Sequence, residues 1–424
     1  MRVLKTQVWC LLWNGIFLWV MGGGWFITEN SFRAAAMESA WGKDEEEEGD
    51  QQPALLPPSQ GEKDAVTTPT PDLAPTAYAA VLMERSSGRV LYAKRPHEPR
   101  LVASITKIMT AIIALEHGHW DDIVTVPPYA VGAEGSSIYL RAGEKVPLGS
   151  LLYGLLFRSG NDAAIAIADH IGQSIHGFVY LMNEKLQHLG LCNTQFQNPH
   201  GLNTPGHYGS AYDFAKIAAY ALHNNNFRKI VSSQVAIVPW PDMPNGRKFY
   251  NKNKLLRLYP WADGVKTGYT KRSGRTLVSS ATKNGMQLVA VTLNDGNDWR
   301  DAINMFEYGF LQYRLRTLVR SGQILPSFGS KDRKWPTDVG IAVGGEFSYP
   351  LSSEEENHVE IRPVIAYPFS RLQGTKNPIG RVRIALGQQS LGSVPLHSVM
   401  RQRSLASCWH EVVSRAVVRG RDVP

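Results

Sequence analysis

Apolar positions change their period several times along this chain. Residues 77–84 and 89–94 are short β-like runs separated by Ser86-Ser87-Gly88, which predicts a hairpin. Ile105, Ile108, Met109, Ile112, Ile113 and Leu115 then recur at helical spacing, and Gly118 marks the end of that helix. Further helical patterns cover 148–157, 163–171 and 213–222. Two β-rich runs, 276–282 and 286–293, flank Asn284-Gly285, a strong short-range hairpin signal. Strands therefore open and close a region with a helical middle, an α+β layout in which the first and last strands can share one sheet. Past about 325, Val339/Ile341/Val343 and Val382/Ile384/Leu386 alternate with period two among Gly and Pro, which predicts a small β domain. No internal repeat is visible.

The flanks have a different character. Arg2 and Lys5 precede residues 8–27, which carry no charge, and small residues follow at Ala34-Ala35-Ala36. That order predicts a secretory signal at 1–36, with an uncleaved anchor as the alternative. Lys43 stands among six acidic residues between 44 and 50, and prolines 53, 57, 58, 69, 71 and 75 follow, so 37–75 reads as an extended linker. The folded part divides into a catalytic domain at 76–322 and the β domain at 323–398. At 399–424, Leu405, Trp409, Val412, Val413, Ala416 and Val417 recur at helical spacing among five arginines, the pattern of a basic amphipathic helix that lies on a membrane surface.

Composition narrows the classes without naming one. Over 424 residues, 43% hydrophobic and 19% charged content excludes a disordered chain. Forty-five basic against 37 acidic residues give +8, spread too thinly for the basic stripe of a nucleic-acid binder, so no nucleic-acid partner is expected. Three cysteines, one of them in the leader, provide neither a disulfide framework nor a CxxC metal knuckle.

Three short motifs carry candidate chemistry. Ser104-Ile105-Thr106-Lys107 opens the first long helix, so Ser104 and Lys107 lie one turn apart on one side. A serine hydroxyl becomes a nucleophile when a base takes its proton, and a lysine serves as that base when desolvation or a neighbouring cation keeps it neutral. Alone the motif is weak: chance supplies about one S-x-x-K in a chain of this length. A second copy, Ser280-Ala281-Thr282-Lys283, sits where a strand enters a turn and is rejected. Ser159-Gly160-Asn161 lies between two helical patterns, where a helix cap is the plain explanation. Lys266-Thr267-Gly268 precedes the 276 strand. On a strand Lys266 and Gly268 share a face, and such an edge can pair with an extended peptide while the ammonium attracts its carboxylate.

The three motifs in this order make the active-site set of penicillin-binding proteins and serine β-lactamases. Together with Tyr153-Gly154-Leu155-Leu156, Asn198-Pro199-His200-Gly201-Leu202 and Asp263-Gly264-Val265 before Lys266, they closely resemble the low-molecular-mass D-alanyl-D-alanine carboxypeptidases, peptidase family S11, over roughly 76–310. The resemblance implies a serine β-lactamase/D,D-transpeptidase-like domain: an antiparallel sheet with helices on both sides plus a helical subdomain, followed by a small β domain. It implies Ser104 as the acylated nucleophile, Lys107 as its base and Ser159 as a proton relay. Asn161, Lys266, Thr267 and Gly268 would bind substrate, and the Ser104 and Tyr269 N–H groups would form the oxyanion hole. The implied partners are peptidoglycan stem peptides, with β-lactam antibiotics as acylating inhibitors, and no metal or other cofactor. The arginine that several members use for the terminal carboxylate is out of register here, which leaves Arg300 and Arg275 as candidates. A β-lactamase of the large class with a Glu base lacks that base, since Glu184, the single glutamate between the second and third motifs, has His188 four residues on. A D,D-endopeptidase and a non-catalytic wall-binding module stay as alternatives.

Overall fold

The computed structural model describes residues 71–325, 339–366 and 377–400. The expected leader, most of the linker and the basic segment 401–424 lie outside these residues. In chain order, β1 (Ala77–Glu84) and β2 (Val90–Lys94) form the first hairpin, and a 3-10 turn at Ala103–Thr106 leads into α1 (Lys107–His117). The short pair β3 (Ile123–Thr125) and β4 (Lys145–Pro147) precedes α2 (Leu148–Tyr153), and a π turn at Gly154–Arg158 separates α2 from α3 (Asn161–Gly172). Then come α4 (Ile175–His188), α5 (Ala211–Ala221), α6 (Asn225–Ser232), the hairpin β5 (Val235–Trp240) and β6 (Met243–Tyr250), and the one-turn α7 (Leu255–Leu258). The strands β7 (Ala262–Thr270), β8 (Gly274–Lys283) and β9 (Met286–Asp295) are followed by α8 (Asp298–Gln312).

One antiparallel sheet, in the order β2-β1-β9-β8-β7, organises the enzyme-like part. The expected closure of first strand on last is the β1·β9 ladder, which runs from Ala77 opposite Asp295 to Glu84 opposite Leu288. Both faces of the sheet are covered, so its central strands read as continuous apolar runs rather than alternating ones. Ala79, Val81 and Met83 face the helical subdomain, while Ala80 and Leu82 face α8. On β9, Val289 and Val291 go one way and Leu288 and Ala290 the other. Within the sheet β7 is an edge strand, and this leaves one side of its backbone without a strand neighbour among the described residues.

Past α8 come β10 (Arg314–Val319), β11 (Ile324–Leu325), β12 (Val339–Val343), β13 (Phe347–Leu351), β14 (Val359–Ile365), β15 (Gly380–Leu386) and β16 (Gln389–Met400). They make a five-stranded sheet, β11-β12-β16-β15-β14, and the pair β10·β13. The domain boundaries expected at 322/323 and 398/399 shift in the structure. β10 pairs with β13, and Val319 packs with Ile341, Val382 and Leu396, so the β domain begins nearer 314. At its far end β16 continues to Met400.

Arg89, the residue before β2, ties the two parts together. Its guanidinium binds Glu355 through both nitrogens, donates to the Pro350 carbonyl at 2.6 Å, and lies over the rings of Tyr313 and Tyr349 at 5.0 and 5.3 Å. Planar bidentate pairing plus ring stacking is what lysine cannot reproduce. Arg89→Ala is expected to cost about 2 kcal/mol. Amide hydrogen exchange should show lost protection concentrated in β10 and β13; uniform loss across the central sheet would contradict this placement.

Candidate active site

The sequence at 103–107 builds the first wall. Ala103 holds a left-handed backbone, φ +50, immediately before Ser104. That strain, of order 1–3 kcal/mol, is sustained by its surroundings. Thr106 Oγ donates to the Ala103 carbonyl at 2.8 Å and meets His207 Nε2 at 2.9 Å. His207 Nδ1 accepts from the Gln197 N–H at 3.0 Å, so its proton sits on Nε2 and points at Thr106. Gly201 closes the turn from behind. Its φ is +89, and a Cβ there would overlap the Ala103 carbonyl and lie 2.9 Å from Thr106 Oγ. Gly201→Ala is therefore expected to destabilise the protein by about 2 kcal/mol or more. It should also slow acylation of Ser104, to be measured as a lower melting temperature together with a reduced labelling rate.

Lys107 is fully buried, and its side-chain nitrogen has three neighbours: Ser104 Oγ at 3.0 Å, Asn161 Oδ1 at 2.6 Å and the His200 carbonyl at 2.6 Å. Burial holds its pKa well below the ordinary lysine value; the charge of Lys266 pushes the same way more strongly than Asp162 pulls back, and Lys252 adds the smallest push downward. A neutral amine has two N–H groups and one lone pair. In that form the two carbonyl-type acceptors can take both N–H groups, which leaves the lone pair for the Ser104 hydroxyl; the protonated form donates to all three neighbours. Neither nearby imidazole competes as a cation, since burial pushes His200 down to about 3 and His207 to about 4.

The second motif faces this pair. Ser159 is not a helix cap: it has φ +65, and the position before α3 belongs to Gly160, without a side-chain cap. Its hydroxyl is buried and has no hydrogen-bond partner among the described residues. A buried orphan hydroxyl costs free energy unless something arrives to pair with it. Asn161 is held from both ends, with Oδ1 on Lys107 and Nδ2 donating to the Glu134 carbonyl at 2.5 Å. The next residue, Asp162, is 1% exposed and accepts from the N–H groups of Ile138, Leu140 and Ala163 and from Ser137 Oγ. That carboxylate fastens the 134–140 loop to the start of α3.

The third motif lies on the edge strand β7. Gly268 and Lys266 stand opposite Thr276 and Val278. A Cβ on Gly268 would come within 3.0 Å of the Ser104 backbone nitrogen, so only glycine lets β7 pass this close to the nucleophile. Lys266, 2% exposed, donates to the Thr267 carbonyl at 2.7 Å, and burial together with the Lys252 charge pushes its pKa down to about 7. Thr267 and Tyr269 belong to the alternate face of the strand, and Tyr269 projects into solvent.

Four further placements bear on the sequence reading. Arg275 stands opposite Tyr269, on the face away from Ser104, and is paired with Asp298 at 2.7 Å. Arg300 is an exposed residue of α8. Ser280 is committed to Asp263, and Lys283 lies over the Trp261 ring at 5.4 Å, so the second S-x-x-K assembles no site. The sequence motifs assign no role to Asp162, the His200 carbonyl or Lys252. For the first two a signal exists, in the residues around S-x-N and in Asn198-Pro199-His200-Gly201-Leu202. For Lys252 there is none.

Comparison with known proteins agrees with this geometry. The family profile of D-alanyl-D-alanine carboxypeptidase, peptidase S11, matches residues 64–297. The chain is 37% identical over 275 residues to the D-alanyl-D-alanine carboxypeptidase DacF of Bacillus subtilis (strain 168), covering 62% of this chain and 70% of that protein. It is 29% identical over 364 residues to DacC of Escherichia coli (strain K12), covering 76% and 87%. Among solved structures, penicillin binding protein 5 from Haemophilus influenzae superposes with a TM-score of 0.63 at 29% identity, over 79% of this chain and 98% of that one.

Proposed function

This chain belongs to peptidase family S11, the D-alanyl-D-alanine carboxypeptidases, and from that premise we propose that it removes the terminal D-alanine from peptidoglycan stem peptides through an acyl-serine. The observation that carries the reading is the disposition of Lys107: a buried side-chain nitrogen 3.0 Å from Ser104 Oγ and 2.6 Å from both Asn161 Oδ1 and the His200 carbonyl. Ser104 Oγ attacks the penultimate D-alanine carbonyl as Lys107 accepts its proton. The oxyanion forms against backbone N–H groups where β7 meets the 103–107 turn. The Ser159 hydroxyl, without a partner among the described residues, is suited to pass the proton on to the departing amine. Water then hydrolyses the acyl-enzyme. The free edge of β7 suits an extended peptide lying alongside it, and Lys266 suits its carboxylate.

β-Lactams acylate the same serine on this reading, because their amide occupies the place of the D-Ala-D-Ala bond. The test is to incubate the purified protein with a D-Ala-D-Ala-ended peptide and with labelled penicillin. Release of D-alanine with slowly lost label supports the carboxypeptidase. Rapid penicillin hydrolysis would favour a β-lactamase, and neither turnover nor label a binding module.

The site of action is proposed as the outer face of a membrane, on the strength of the uncharged leader, the linker and the arginine-rich amphipathic segment in the sequence. Among the described residues no helix is long and apolar enough to cross a membrane. Deleting 401–424 should move the protein from the membrane to the soluble fraction; unchanged membrane recovery would assign the attachment to the N-terminal segment instead.

A further inference from the structure

The cleft holds more positive charge than its own residues balance. The Lys266 ammonium is buried against a single carbonyl oxygen, and Asp162, the carboxylate whose charge reaches Lys107, is already occupied by four donors of its own loop and helix. Neither arginine expected for the substrate's carboxylate is placed to help, because Arg275 is turned to Asp298 across the sheet and Arg300 is out on α8. A different cation stands at the mouth. Lys252 follows β6, and its backbone N–H donates to the Phe157 carbonyl at 3.1 Å, two residues before Ser159. Its exposed ammonium reaches Ser136 Oγ at 3.4 Å, a long and weak contact, and the Ser136 carbonyl in turn accepts from the Asn161 N–H at 2.6 Å. Lys252 is thus held by its backbone to the segment before Ser159, while its side chain makes only a weak contact with the 134–140 loop that accepts the Asn161 N–H, and among the described residues no carboxylate pairs with it.

We propose that Lys252 is the second cation of the carboxylate subsite, acting with Lys266 on the C-terminal carboxylate of the bound peptide in place of an arginine. Its charge is felt at both buried lysines, lowering the proton affinity of Lys266 and of Lys107, which places it within electrostatic reach of the reacting groups. A lysine suits this position as a mobile point charge at the rim, where the buried Lys266 has no freedom to follow the ligand. The inference rests on the carboxypeptidase reading above, since it assumes a substrate that ends in a carboxylate.

The test compares two D-Ala-D-Ala peptides, one with a free C-terminal carboxylate and one capped as the amide, on wild type, Lys252→Met and Lys252→Arg. Loss of a bond to a charged group predicts a fall of roughly tenfold to a hundredfold in kcat/KM for the carboxylate peptide with Lys252→Met. The amide peptide should be affected little, the melting temperature should be unchanged, and Lys252→Arg should restore most of the preference. A modest displacement of the acid limb to higher pH, the same for both peptides, is expected from the lost charge and leaves the peptide preference as the readout. An equal loss on both peptides, each measured on the pH plateau of the protein concerned, overturns the proposal, because it would mean that Lys252 acts only through Lys107 or through the loop. Full discrimination in Lys252→Met overturns it too. If wild type releases D-alanine from neither peptide, the carboxypeptidase reading fails first, and that result is distinct from every outcome on the variants.

Discussion

Ser104→Ala is expected to lower kcat/KM for D-alanine release by about 10⁴-fold or more and to abolish covalent labelling by penicillin. The expectation follows from the atoms removed. Ser104 Oγ is the hydroxyl on which the Lys107 nitrogen is aimed, at 3.0 Å, and without it no acyl-enzyme bond can form. What is left, the N–H groups and the strand edge, binds substrate but offers no covalent path. Folding should be nearly indifferent. The side chain is half-buried and its one hydrogen bond among the described residues is to Lys107, so its loss costs about 1 kcal/mol or less, and Lys107 keeps both carbonyl-type partners. Rapid-mixing measurements of labelling and product release, with thermal unfolding as the control, decide it. A variant that releases D-alanine at the wild-type rate would remove Ser104 from the mechanism altogether.

The parts of this site that short spacing along the chain controls are legible in the sequence itself. Ser104 and Lys107 are one turn apart, and Lys266 and Gly268 are two apart on a strand, so local geometry sets their mutual direction. The hairpin at Asn284-Gly285 is legible for the same reason. What escapes a sequence reading depends on distant partners. The buried stripe of α8 is Asp298, Asp301, Ala302, Met305, Phe306, Gly309 and Phe310, a full helical period whose first members are aspartates. A search for apolar periodicity passes over it, because those carboxylates are buried only by virtue of Arg275 and Thr76, which come from elsewhere in the chain. The β5·β6 hairpin is hidden by Pro239, Pro241 and Pro244, residues that argue against a central strand but are tolerated in an isolated pair. Lys252 carries no local signal at all; only the folded chain brings it to Ser136 and Phe157.

Lys107→Met is expected to reduce acylation by about 10³-fold while changing stability in a direction set by pH. In the unfolded chain Lys107 titrates near 10.4, whereas burial and the Lys266 charge lower its pKa in the native state. Between those two values the unfolded state binds one more proton than the native state. By linkage, unfolding free energy then rises with pH through the window, with a slope of up to about 1.4 kcal/mol per pH unit from this one group. The cost of burying the lysine is absent above about 10.4 and grows as pH falls, until the native amine itself protonates. Methionine has no such window. It leaves the His200 carbonyl and Asn161 Oδ1 short of a donor, a loss that does not depend on pH. The variant should therefore gain on wild type steadily as pH is lowered from about 10 towards neutrality, whatever the sign of the constant offset. Lys266, pushed down to about 7, adds a slope of the same sign in both proteins and largely cancels in the difference. Urea unfolding of both proteins from about pH 6 to 10 gives that difference directly. A flat difference would mean that Lys107 keeps its proton in the native state, and a permanently charged ammonium has no lone pair with which to activate Ser104.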